Sequence, residues 1–201
     1  MKAAIILKSP DFCDKVDESD VIYADGAYKH KGLIGEKNVL AVVGDFDSLK
    51  AAPKGENVIK LNPEKNFTDG ERAVIAATQL GADEITLYGA YGGRPDHILG
   101  NIALLKIARE RGLKAKIKQN GSITRLICGD ETIETVRGAT LSLIPYGGDC
   151  SFVKSEGLYY PLNGLTLTPA DTRGISNLAT ADTVVITVRS GEALVFYEQK
   201  P

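Results

Sequence analysis

Tryptophan is absent from this chain of 201 residues, methionine occurs once and cysteine three times. The cysteines, Cys13, Cys128 and Cys150, are odd in number and form no CxxC pair. That argues against a disulfide framework or a thiolate zinc site and for a reducing compartment. Long apolar runs are also missing. A membrane helix needs roughly 20 consecutive apolar residues, and the run at residues 3–7 is too short even for a signal-peptide core. The expected setting is the cytoplasm, with no membrane partner. Nor does either sign of charge dominate: the formal net charge is −2. Such a balance offers no long-range attraction to nucleic acid, so none is expected as a partner. Finally, the sequence holds neither a GxxxxGK[ST] loop nor a GxGxxG turn after a strand. A nucleotide site in this chain must rest on metal-binding carboxylates and scattered basic groups.

What is present is ordinary globular composition, 43% apolar and 25% charged. Up to about residue 115, β-branched runs alternate with helical patterns. Residues 3–7, 21–24, 39–43, 58–61 and 85–88 read as strands. A helix is predicted over 69–80, opened by a Thr68-x-x-Glu71 capping box and stopped at Gly81. A second is predicted over 95–111, with Pro95 at its first position and Gly112 beyond its end. Apolar residues cover most of its circumference, which predicts burial on more than one side. After 115 the helical period vanishes, and short strands at 115–118, 123–128, 140–144, 151–154, 183–189 and 193–197 are separated by Gly and Asp clusters. The expected architecture is an α/β N-terminal domain with a mostly parallel sheet (1–118), followed by an all-β C-terminal sandwich (119–201).

Ligands of open α/β sheets bind beyond the carboxyl ends of the strands, and there the polar residues collect. Asp25-Gly26, Gly44-Asp45-Phe46-Asp47-Ser48, Glu64-Lys65-Asn66-Phe67-Thr68-Asp69 and Gly92-Gly93-Arg94-Pro95-Asp96-His97 each follow a strand. Asp45 and Asp47 point the same way on an extended backbone, and paired carboxylates attract a hard cation such as Mg²⁺; both could equally build a turn. Thr68 and Asp69 cap a helix, whose N-terminus also attracts phosphate. Arg72, a cation in that first turn, opposes the helix dipole and so favours a phosphate contact. Arg94 suits phosphate, and Gly92-Gly93 allows close backbone approach. Asp96 and His97 read as first-turn or surface polar residues when taken singly; the cluster is more specific than its members.

Taken in order, these segments resemble the signatures of the thiamine pyrophosphokinase family. Gly157-Leu158-Tyr159-Tyr160-Pro161-Leu162 and Gly174-Ile175-Ser176-Asn177 resemble that family's C-terminal elements. The resemblance spans nearly the whole chain. It implies an ATP- and Mg²⁺-binding α/β domain, a β-rich domain that helps hold thiamine, and a homodimer with sites at the subunit interface. It implies transfer of pyrophosphate from ATP, the co-substrate, to thiamine, giving thiamine diphosphate and AMP. Asp45, Asp47 and Asp69 would hold the metal and, with Asp96, form the catalytic set. Asp25, Gly26, Thr68, Arg72, Arg94 and His97 would bind ATP; Ser176 and Asn177 would line the thiamine pocket. Without a tryptophan, stacking on thiamine falls to Tyr, Phe or His. One departure stands out: the family's pattern is Asp-x-Thr-Asp, and Asn66 takes the place of the first acid, keeping an oxygen but losing its charge. Two alternatives stay open at this point, a pterin-type pyrophosphokinase and a non-catalytic ATP or thiamine sensor.

Overall fold

The computed structural model describes residues 1–46, 57–60 and 67–199. They form two compact units, Met1–Asn120 and Gly121–Pro201. Asp47 and Asn66 lie outside the described residues.

In the first unit, β1 (Lys2–Ile6), β2 (Asp20–Ala24), β3 (Asn38–Gly44), β4 (Val58–Lys60), β5 (Glu84–Tyr88) and β6 (Lys114–Gln119) make a parallel sheet. Their order is β6-β5-β1-β2-β3-β4. Ile5 of β1 registers with Ile22 on one side and Leu87 on the other. Ala3–Ile6, Val21–Tyr23, Ile85 and Leu87 are fully buried. Strands buried on both faces read as continuous apolar runs, which is why the sequence marked them so clearly.

A 3-10 turn, Asp25–His30, follows β2 and leads into the short helix α1 (Lys31–Ile34). Helix α2 (Asp69–Gln79) is capped by Thr68, whose Oγ1 accepts the Glu71 N–H at 3.2 Å. Its small residues Ala73, Val74, Ala76 and Ala77 are buried, and it packs on β2 and β3. Helix α3 (Pro95–Glu110) opens on Pro95, packs on β6 and touches α2. Only Leu104, Leu105 and Ala108 of α3 are buried, and Leu99 is 69% exposed. The expected burial of α3 on more than one side is therefore corrected. The second half of the helix packs, whereas its first two turns stand at the carboxyl edge of the sheet. Strand β6 pairs parallel with β5 and lies in the α/β unit, although its sequence sits where the helical period ends.

The second unit is an antiparallel sandwich. Its strands are β7 (Ser122–Ile127), β8 (Asp130–Glu134), β9 (Thr140–Pro145), β10 (Cys150–Glu156), β11 (Thr166–Leu167), β12 (Asn177–Leu178), β13 (Thr183–Ser190) and β14 (Ala193–Glu198). One sheet carries β12-β9-β14-β7 and the other β11-β10-β13-β8. Val184, Ile186 and Val188 alternate inward along β13 and meet Ile133, Leu141, Leu143, Phe152 and Val195 in one core. Strands β8, β11 and β12 were not anticipated: β8 has one buried side chain, Ile133, among polar neighbours, and β11 and β12 have two residues each.

Candidate functional site

All six strands of the first unit run the same way, so the ends of β1, β2, β3 and β5 share one edge. Strand order reverses at β1, with β2–β4 to one side and β5–β6 to the other. Sheets of this kind bind ligands at that reversal, and a cleft of about 400 Å³ opens there. Leu7 and Lys8 contribute to it from beyond β1, and Ala24 and Asp25 from the end of β2. Thr68, Asp69 and Gly70 bring the N-terminus of α2; Asp96, His97, Gly100 and Asn101 present one face of α3. The spacing of these last four, one helical turn apart in pairs, puts them on a common side. The Asn101 amide donates to the Ala90 carbonyl at 2.8 Å, tying this face to the loop after β5.

Asp25 is buried and accepts the Phe46 N–H on Oδ1 at 3.2 Å. Its φ is +41°, and that of Phe46 is +64°. Neither is a glycine, so both backbones are held by their surroundings in a sparsely populated region. Gly44 permits the arrangement: a Cβ there would sit 2.8 Å from both Cα and Cβ of Asp25. The cause is register, since Ala24 pairs with Val43 and the two chains leave the sheet side by side. Gly26 is buried within the same turn. Asp45 is half-buried, one residue beyond β3.

Arg94 and Asp96 form a two-pronged ion pair, Nε to Oδ1 at 3.1 Å and Nη2 to Oδ2 at 2.6 Å. The guanidinium holds the Asp96 carboxyl below its ordinary pKa. Asp96 is therefore a charged acceptor at neutral pH. Arg72 turns its guanidinium over the Phe67 ring, 4.6 Å from the centroid. Of the residues singled out in sequence, the cleft thus unites Asp25, Thr68, Asp69, Asp96 and His97. Gly26 and Asp45 stand beside it, Arg94 is directed onto Asp96, and Arg72 onto Phe67.

In the second unit, Ser176 has φ +60°, and its N–H donates to the Ser142 hydroxyl at 3.0 Å. Asn177 is 2% exposed. Its Oδ1 accepts the N–H of Tyr160 at 3.0 Å and of Leu178 at 2.9 Å, and its Nδ2 donates to the Tyr160 carbonyl at 2.7 Å. This clamp holds Tyr159 and Tyr160, both 61% exposed and edge-to-face at 4.8 Å. Ile175 and Leu178, beside Asn177 in sequence, are also exposed. Gly174 is needed for close approach, because a Cβ would meet the Leu143 carbonyl oxygen at 2.1 Å; the Leu143 N–H donates to the Gly174 carbonyl at 2.8 Å.

Lys8, Gly100 and Asn101 were not foreseen. The carboxyl-end rule, applied to β1 as to its neighbours, would have reached Lys8. Counting one turn on from Asp96 and His97 would have reached Gly100 and Asn101.

Carboxylates, hydroxyl and backbone groups make a hard, oxygen-rich donor set. Among the described residues no three His, Cys, Asp or Glu side chains converge tightly enough to cage a metal alone. Oxygen donors of this kind are the ones Mg²⁺ takes, with one or two carboxylates and the rest of its shell from water and phosphate oxygens.

Two family models match the chain: "Thiamin pyrophosphokinase, catalytic domain" over residues 16–117 and "Thiamin pyrophosphokinase, vitamin B1 binding domain" over residues 130–193. A thiamine pyrophosphokinase of Bacillus subtilis is 35% identical over 146 residues, covering 67% of this chain and 66% of that protein. Thiamine pyrophosphokinase 1 of rice, Oryza sativa subsp. japonica, is 26% identical, covering 73% of this chain and 61% of its own length. The match thus spans a little under two thirds of these relatives. Among solved structures, that of thiamine pyrophosphokinase from Bacillus subtilis superposes with a TM-score of 0.87 at 23% identity, covering 100% of both chains. Yeast thiamin pyrophosphokinase gives a TM-score of 0.75 at 16% identity, covering 98% of this chain and 85% of that one. At these identities the superpositions speak for the fold.

Proposed function

This chain belongs to the thiamine pyrophosphokinase family, and from that premise we propose that it transfers pyrophosphate from ATP to the hydroxyl of thiamine, yielding thiamine diphosphate and AMP. The observation that carries the reading is the cleft at the strand-order reversal, where Asp25, Asp69 and Asp96 meet the N-termini of α2 and α3. Helix N-termini favour phosphate, and carboxylates favour the cation that accompanies it.

The thiamine hydroxyl oxygen bonds to the β-phosphorus of ATP. The bond from that phosphorus to the bridging oxygen breaks, AMP departs with the oxygen, and the hydroxyl proton passes to solvent or a carboxylate. Catalysis of this kind is chiefly positioning and charge neutralisation. Asp45 and Asp69, with Asp47 outside the described residues, would hold Mg²⁺, which when bound supplies neutralisation of the phosphate charge. Thr68 and the N-terminal amides of α2 receive phosphate oxygens; Arg94 and Arg72 are assigned to phosphate, Asp25, Gly26 and His97 to the nucleotide. Asp96, its pKa held low, orients the thiamine hydroxyl by accepting its hydrogen bond and is too weak a base to remove the proton early.

For thiamine, the exposed Tyr159–Tyr160 pair offers the stacking surface that tryptophan would otherwise supply. Ser176 provides a hydroxyl beside it, and Asn177 acts by fixing the tyrosine segment. A homodimer with shared sites is part of the proposal; the exposed apolar start of α3, Leu99 above all, supports it. The cytoplasm is the proposed setting, in keeping with three cysteines that form no disulfide.

The test is chromatography of the products from ATP, Mg²⁺ and thiamine after limited turnover. AMP rising one-for-one with thiamine diphosphate is the expected result. ADP with thiamine monophosphate would overturn the pyrophosphoryl assignment. Sedimentation of the free protein as a monomer at assay concentration would overturn the dimer.

A further inference from the structure

The cleft presents three carboxylates to a ligand that is itself an anion. Among the described residues, Lys8 is the only lysine or arginine on its wall. Arg94 is fastened to Asp96 by two hydrogen bonds, and Arg72 lies over Phe67. Lys8 makes no hydrogen bond or ion pair with the described residues.

Its backbone is firmly placed. The Leu7 N–H donates to the Tyr88 carbonyl at 2.9 Å, and the Ser9 hydroxyl donates to the Tyr91 carbonyl at 2.9 Å. Leu7 and Ser9 are both 3% exposed, whereas Lys8 between them is exposed. Lys8, just beyond the end of β1 where the strand order reverses, lines the cleft. An ammonium with no ion-pair partner among the described residues, on a firmly placed backbone amid carboxylates and two helix N-termini, is matched to a polyphosphate.

Resting on the function proposed above, we infer that Lys8 is a phosphate-binding residue of this site, its ammonium contacting the triphosphate of the nucleotide directly. Lysine binds phosphate as a point charge and tolerates more than one geometry. It offsets part of the repulsion between the triphosphate and Asp25, Asp69 and Asp96.

The experiment compares the full chain with its Lys8→Met and Lys8→Arg variants, Met keeping the apolar stem. Calorimetry measures binding of a non-hydrolysable ATP analogue with Mg²⁺, and separately of inorganic tripolyphosphate with Mg²⁺. One charge-assisted hydrogen bond corresponds to roughly a 10- to 100-fold change in affinity. Lys8→Met is expected to weaken both ligands by that factor, with Lys8→Arg recovering part of the loss. Where turnover is measured, KM for ATP rises more than kcat falls, and KM for thiamine stays put. Equal binding of both ligands by wild type and Lys8→Met overturns the inference. Tripolyphosphate binding lost in Lys8→Met supports Lys8 even if the wild type makes no thiamine diphosphate, an outcome that strikes only the proposed reaction.

Discussion

Replacing Asn177 by Leu tests the tyrosine clamp, because Leu keeps the branching at Cγ while removing every polar contact. Three hydrogen bonds are lost: from the N–H groups of Tyr160 and Leu178 to Oδ1, and from Nδ2 to the Tyr160 carbonyl. Each is worth about 1 kcal/mol net, and an acceptor or donor left buried without a partner costs about 1–3 kcal/mol. Tyr160 is 61% exposed, so water reaches part of the freed backbone and the total stays near ~2–3 kcal/mol. Asn177→Asp sharpens the test. It keeps both accepted bonds but turns a carboxylate toward the Tyr160 carbonyl, so it destabilises despite being isosteric. Urea titration by circular dichroism, read by linear extrapolation, gives the stability difference. With fold retained, KM for thiamine rises while KM for ATP is unchanged, since the clamp acts on the tyrosine segment alone. A loss under ~0.5 kcal/mol for Asn177→Leu would refute the clamp, as that is the scatter of ordinary surface substitutions. An equal rise in both KM values would refute its confinement to the thiamine surface.

Gly44→Ala forces a Cβ to within 2.8 Å of the Asp25 Cα and Cβ; it is expected to cut kcat at least ~10-fold by displacing Asp25, and wild-type kcat would refute that. Asp69→Asn and Asp45→Asn each remove a charge proposed for Mg²⁺; both are expected to raise the Mg²⁺ concentration for half-maximal rate, and an unchanged requirement in both would refute the metal assignment. The buried Cys150 thiol is pushed up to about 11 by burial, reinforced by the Glu192 charge. Its thiolate at pH 8 is therefore only ~0.1% of the population, and iodoacetamide at that pH should label exposed Cys13 and leave Cys150 intact in native protein. Rapid native labelling of Cys150, read by peptide mass spectrometry, would refute its burial.

Much of the fold could be read locally. Residues 3–7 and 85–88 stand out because strands buried on both faces need unbroken apolar runs, and Thr68, Gly81, Pro95 and Gly112 mark helix ends through short-range stereochemistry. Strand β8 escaped because burial of Ile133 alone leaves no visible alternation. The start of α3 misled because an apolar side chain at Ile98 or Leu99 reads the same whether it packs in a core or faces outward. The candidate site divides similarly. Asp25, Asp69, Asp96 and His97 were legible from their places after strands, while Lys8 and Asn101 carry no motif. Asn177 was read as a pocket residue, and its two contacts with Tyr160 depend on a segment 17 residues away.

The sequence alone determined the strand–helix alternation, the helix caps, the turn to antiparallel strands and the order of the acidic segments. These follow from steric and hydrogen-bonding preferences acting within a few residues. Tertiary structure decided which of those groups meet. Parallel register sets Asp25 against Gly44, and the reversal of strand order at β1 brings Lys8 into the cleft lined by the first turns of α2 and α3. Such contacts depend on where distant segments are held in space, and no local periodicity encodes that.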